Sequence, residues 1–221
     1  MLESREAAIL QTLKELPKNM VLIGGYAVNA YVPPRFSIDC DIVVFKEVEE
    51  IKRILVKNGF EEVERGVFPQ GEYVKLMRSD KASFDLLVNS VLDRESGIIF
   101  EDILFRKYSR ERFTLGRANP IRIKLKIADP EVLFTMKFVS ARRQDIRDIF
   151  MLSGIELNRN LIIELLREKC SEKLVKERII LVKTRVTDRN YRASLQGAFG
   201  RIPDETFEKC KLNLIGFLNT L

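Results

Sequence analysis

Two aspartates separated by a single residue, Asp39 and Asp41, lie in a stretch whose side chains alternate strictly. Phe36, Ile38, Cys40 and Ile42 are apolar, while Arg35, Ser37, Asp39 and Asp41 are polar. Period-two alternation predicts an extended strand with two unlike faces, so both carboxylates point to one side with Cβ atoms about 7 Å apart. Carboxylates held in this way can bridge two divalent ions spaced about 3.5 to 4 Å, an arrangement suited to moving phosphoryl groups. Cys40 between them faces the core. A D-x-D pair is short, and a solvated polar strand face is the plainer reading when nothing accompanies it.

Other residues accompany it. Upstream, Gly24-Gly25 falls where an apolar strand gives way to a helix, so backbone N–H groups and the helix N-terminus can receive a polyphosphate closely; an ordinary glycine turn is the alternative. Downstream, Asp85 is the one charge inside the apolar run Ala82-Ser83-Phe84-Asp85-Leu86-Leu87-Val88. A lone carboxylate is costly to bury unless it serves a cation. That cation is either a metal ion, for which Asp85 would be a third ligand and a base, or a basic side chain such as Arg78. Lys137 is the only charge between Val132 and Ala141. It is read either as an ammonium for a β- or γ-phosphate or as a lysine snorkelling from a packed helix to water. Asp145 and Asp148 share a helical face and either orient Lys137 or a basic neighbour, or are i, i+3 surface partners of Arg142.

The elements that must position these groups are legible in outline. A first helix is expected over 3–16, stopped by Pro17, with Leu2, Ile9, Leu10 and Leu13 inward. Met20 to Ile23 reads as a buried strand, and residues 26–31 as a helix that Pro33-Pro34 ends. The D-x-D strand runs from Arg35, a helix spans 47–58 with Gly59 as its stop, and strands over 72–78 and 82–89 are joined by Ser79-Asp80 and therefore antiparallel. A further strand covers 121–127. Asp129-Pro130-Glu131 then opens a run of helices, with breaks near Gly154, near 188–191 and at 201–204. Sheet first and helices last is an α+β order, divided here into a core at 1–128 and a helical region at 129–221.

The blocks Ile23-Gly24-Gly25-Tyr26-Ala27 and Arg35-Phe36-Ser37-Ile38-Asp39-Cys40-Asp41 resemble the G-G-x-A and R-x-[ST]-x-D-x-D signature of the AbiEii-type nucleotidyltransferases, a branch of the DNA polymerase beta superfamily that includes toxins of toxin–antitoxin systems. Arg142-Arg143-Gln144-Asp145-Ile146-Arg147-Asp148 is similar to that branch's R-x-K-D-x-x-D run, with Gln144 where lysine is usual. The resemblance covers about residues 20 to 150. It implies a nucleotidyltransferase-like mixed sheet flanked by helices and followed by a C-terminal helical bundle. It further implies nucleotide binding through Gly24 and Gly25, two Mg²⁺ ions on Asp39 and Asp41, and Asp85 completing one metal site. Ser37 would touch a phosphate, Arg35 would brace the site from the same strand face, and Lys137 would help pyrophosphate leave.

Composition bounds the chemistry. The 221 residues include no histidine, which removes imidazole bases, Ser-His triads and histidine zinc sites. Cys40, Cys170 and Cys210 are widely spaced, an odd number without metal-binding pattern, and are expected to be reduced thiols. No apolar stretch suggests a membrane span, and the charged N-terminal segment does not read as a signal peptide, so a cytoplasmic protein is expected. The net charge is +6, and residues 151–221 hold 13 Lys+Arg against 9 Asp+Glu, an excess that permits an anionic partner. The resemblance implies a reaction that moves a nucleoside monophosphate from a nucleoside triphosphate to an acceptor hydroxyl, on RNA such as a tRNA 3′ end, on a protein or on a small molecule such as an antibiotic, with a cognate antitoxin as a further partner. The competing expectation is a protein of the same fold that binds or regulates without catalysing transfer.

Overall fold

The structure is a computed structural model that describes residues 1–119 and 121–221. It divides into two compact units. The first comprises residues 1–30, 34–92 and 99–129, and the second comprises 31–33, 93–98 and 130–221.

The first unit is built on a mixed seven-stranded sheet of described residues in the order β3-β4-β5-β2-β1-β9-β8. Its strands are β1 (Met20–Leu22), β2 (Asp39–Val44), β3 (Glu61–Phe68), β4 (Gly71–Met77), β5 (Ser83–Val88), β8 (Ser109–Leu115) and β9 (Arg122–Ala128). A separate hairpin pairs β6 (Ser90–Leu92) with β7 (Ile99–Glu101). Helices α1 (Leu2–Glu15), α2 (Gly24–Val28), α3 (Val48–Lys57) and α4 (Asp102–Lys107) complete the unit.

The central strand β2 runs parallel to β5 and antiparallel to β1, and β4 is antiparallel to β5 as the short Ser79-Asp80 turn requires. On one face of β2, Cys40 and Ile42 are fully buried. That face joins a core containing Phe84, which meets Phe60 edge to face with centroids 5.0 Å apart. The opposite face carries Asp39 and Asp41.

Three expectations are corrected. The extended segment of 35–38 is not part of the strand, which begins only at Asp39, and Ile38 is exposed instead of inward. Side-chain capture at Arg35 explains where the strand fails to start: Asn29 Nδ2 donates to Arg35 O at 2.9 Å, while Arg35 N donates to Asn29 Oδ1 at 3.1 Å, and backbone pairing with β5 is met only at Ile38 O, which accepts Ser83 N at 3.3 Å. Second, α2 begins at the glycines themselves and ends at Val28, three residues short of the expected end. Third, Leu2 is exposed on α1 and Glu6 is fully buried. The Glu6 carboxylate accepts the backbone N–H groups of Arg117, Ala118 and Asn119 at 2.6, 2.8 and 3.1 Å, which satisfies a charge that an amphipathic pattern would place in water.

The second unit is helical: α5 (Pro130–Ser140), α6 (Arg143–Leu152), α7 (Arg159–Lys169), α8 (Glu172–Val186), α9 (Tyr191–Phe199) and α10 (Asp204–Leu218). The breaks fall near Gly154, 188–191 and 201–204, with two further ones, at Ala141-Arg142 and at Cys170-Ser171, where Ser171 caps α8 by accepting from Leu174 N. Phe134 of α5 packs edge to face on Phe217 of α10, and Phe150 of α6 meets Tyr191 and Phe207. Among the described residues no helix is long and apolar enough to cross a membrane.

Candidate active site

Strand register brings the acids together. Asp41 lies directly beside Asp85 and Asp39 beside Ser83 across the β2–β5 pair, and residues so paired share a face of the sheet. All three carboxylates are therefore on one side, the side away from Cys40. The Ser83 hydroxyl donates to Asp39 Oδ1. From the next strand, Lys75 is opposite Asp85 in register, and its Nζ lies 3.1 Å from Asp85 Oδ1 and 3.4 Å from Asp39 Oδ1. Burial lowers the proton affinity of this ammonium, but the facing carboxylates Asp85 and Asp39 outweigh that and hold it charged. The partner of Asp85 is thus Lys75. Arg78 instead pairs with Asp80, Nη2 to Oδ2 at 2.5 Å, and that ion pair draws the Asp80 carboxyl down to about 2.

The glycines meet the acids at close range. Gly24 has φ +66°, and a Cβ placed on it would fall 1.9 Å from Asp41 Oδ2. Only glycine can stand there, because the conformation and the contact both exclude a side chain. A Cβ on Gly25 would meet Ser37 Oγ at 2.5 Å and an Arg35 guanidinium nitrogen at 3.0 Å. Residues 35–37 therefore wrap the glycine bend from a loop. Tyr26 OH donates to Ser37 O at 3.1 Å, Ser37 Oγ donates to Asp39 O at 3.0 Å, and buried Arg35 donates from Nη1 to Phe36 O at 3.0 Å. Asn29, buried and bonded to the Arg35 backbone, and Lys75 were both missed by the sequence reading. Asn29 could have been found as the polar end of an otherwise apolar short helix.

Lys137 belongs to the second unit. It is 8% exposed, with Nζ at 3.0 Å from Asp145 Oδ1 and 2.7 Å from Asp148 Oδ2. Asp145 also accepts from Arg142 Nε at 2.8 Å. The two aspartates thus hold Lys137; Asp145 pairs with Arg142 as well, but both acids are buried and so are not surface partners of that arginine. The lysine does not snorkel to water.

The oxygen-only donor set of Asp39, Asp41 and Asp85 is chemically suited to Mg²⁺, a hard cation that favours carboxylates. Lys75, a cation lodged between two of these acids, shows that the face is arranged to receive positive charge. Among the described residues no group of three acidic or thiol side chains forms a ready metal cage.

A D-x-D strand edged by a third acid on the parallel neighbour and by a glycine bend, on a mixed sheet, defines the nucleotidyltransferase class of fold. The chain belongs to the family described as nucleotidyl transferase AbiEii toxin, type IV TA system, whose model matches residues 8–220. Among solved structures it is similar to JHP933 from Helicobacter pylori, with 17% identity and a TM-score of 0.51 over 99% of this chain and 89% of that one. A second Helicobacter pylori protein, provisionally described as a nucleotidyltransferase, is 20% identical with a TM-score of 0.47 over 99% of this chain and 92% of that one. A search of the curated proteins gave no match.

Proposed function

We propose that this protein is a Mg²⁺-dependent nucleotidyltransferase that moves a nucleoside monophosphate from a nucleoside triphosphate to an acceptor hydroxyl of RNA, such as a tRNA 3′ end, or of a protein, and that it acts as the toxin of a toxin–antitoxin pair. The observation that carries this reading is the register that sets Asp41 beside Asp85 on the face that also bears Asp39. Asp39 and Asp41 would hold magnesium, which when bound polarises the phosphates and the attacking oxygen. The backbone at Gly24 and Gly25 receives the polyphosphate, since neither glycine carries a side chain of its own and the bend lies directly against Asp41. Arg35 and Ser37 brace that bend from the loop. The acceptor oxygen forms a bond to the α-phosphorus as the bond to the β-phosphate bridging oxygen breaks, pyrophosphate departs, and Asp85 is the carboxylate assigned to the hydroxyl proton.

With Mg²⁺, labelled nucleoside triphosphates and cellular RNA or protein as acceptors, the wild-type chain is expected to transfer label, and Asp39→Asn or Asp41→Asn to lose at least about 100-fold of that activity. Full activity in either variant would remove the assignment. Absence of nucleotide binding in the wild type would favour a non-catalytic member of the fold.

A further inference from the structure

Lys75 lies in no motif, yet its ammonium occupies the interval where Asp39 and Asp85 converge. Backbone pairing puts it there: Lys75 is opposite Asp85 in the β4–β5 register, and its side chain is only 18% exposed. A magnesium ion ligated by both Asp39 and Asp85 would need their oxygens at about 2.0 to 2.1 Å. The ammonium already lies against Oδ1 of both acids, and a second cation in the same interval would be repelled by it. Asp41, in contrast, is turned toward Gly24, with Oδ2 at the spot a residue-24 side chain would fill. Charge balance agrees, because three carboxylates are neutralised by one divalent ion and one ammonium.

We infer that Lys75 is a built-in cation standing in for the second divalent ion of the two-ion arrangement, so that the site takes one divalent ion, on Asp39 and Asp41, while Asp85 anchors the lysine. This rests on the metal-dependent reading proposed above. The positive charge that a second ion would bring is then a permanent part of the protein and is not drawn from solution. Lys75 is a positioning residue for the acids and a fixed charge.

The test counts Mn²⁺ ions without requiring activity. Free Mn²⁺ is followed by electron paramagnetic resonance during titration of the wild-type chain, with Asp41→Asn supplying the background from surface carboxylates. One ion above background is expected for the wild type and for Lys75→Arg, and two for Lys75→Met or Lys75→Gln, whose folding is checked by circular dichroism. Two ions in the wild type, a count that needs no Lys75 variant, would overturn the inference and leave the metal reading intact. An unchanged count on removing the lysine would overturn it equally. No ion above background in any of these proteins would overturn the metal reading and the inference with it.

Discussion

The contact between Gly24 and Asp41 is the tightest constraint in the candidate site, and it can be probed with one carbon atom. An alanine methyl would lie 1.9 Å from Asp41 Oδ2 and would need a backbone at φ +66° that L-residues disfavour by about 1 to 2 kcal/mol. The carboxylate must swing away, and displacements of about 1 Å at a reacting centre cost on the order of 100-fold in rate. Gly24→Ala is therefore expected to lower kcat/KM for label transfer by about 100-fold while the far-ultraviolet circular dichroism spectrum is unchanged; activity within threefold of wild type would mean that Asp41 does not depend on this bend. Asp39, Asp41 and Asp85 were legible because each is a charge in an apolar or alternating strand context. Lys75 was not, since a lysine between Val74 and Leu76 looks like the solvated side of an edge strand, and only the pairing of β4 with β5 shows which acid it faces.

At the level of elements, alternation and punctuation located most strands and helices. They erred where side chains captured the backbone, as Asn29 does at Arg35 and Glu6 does at 117–119. The edge strand β3 escaped notice because residues Glu61 to Arg65 are exposed on both faces and carry charge, which suits a sheet edge but erases the period-two signal. The joint between α5 and α6 was only half legible. The pairing of Lys137 with Asp145 and Asp148 was one of the readings the sequence offered, but nothing in the sequence placed this ionic group out of reach of water. Removing the lysine takes an ammonium from two carboxylates that are almost without solvent, and breaking a buried ion pair in this way costs about 3 to 5 kcal/mol. Lys137→Met is expected to lose stability of that order in urea unfolding followed by circular dichroism. A loss below about 1 kcal/mol would mean that Arg142 and other donors suffice for the acids, leaving the lysine available for phosphate.

For the whole molecule, the chain does not divide once into a sheet and a bundle; it visits the second unit at 31–33 and 93–98 before entering it for good at Pro130. These early visits were invisible in the sequence because they are short and carry no periodic pattern. The 93–98 visit does measurable work within that unit. Asp93 accepts Ser96 N at 2.9 Å, Ser96 Oγ at 2.6 Å and the hydroxyl of Ser140 at the end of α5. Burial opposes its ionisation, but the Ser140 and Ser96 hydrogen bonds prevail and hold the carboxyl below the usual value. Its contribution to stability is thus present above the ordinary carboxylate pKa of about 3.9 and is lost as pH falls through the lower folded value. Hydrogen bonds to a charged group are worth about 1.5 to 3 kcal/mol, and each kcal/mol shifts the melting temperature of a domain of 60–100 residues by about 4 to 8 °C. A fragment of residues 130–221, lacking Asp93, is therefore expected to keep helical circular dichroism but to melt at least about 6 °C below the same helices in the full chain at pH 7. In the full chain, Asp93→Ala should show a similar deficit at pH 7 that narrows as the pH approaches 3. A fragment as stable as the parent would show that the early segment contributes nothing to the helical unit, and a deficit that widens toward acid would show that the ionised Asp93 carboxyl is not the source of its contribution.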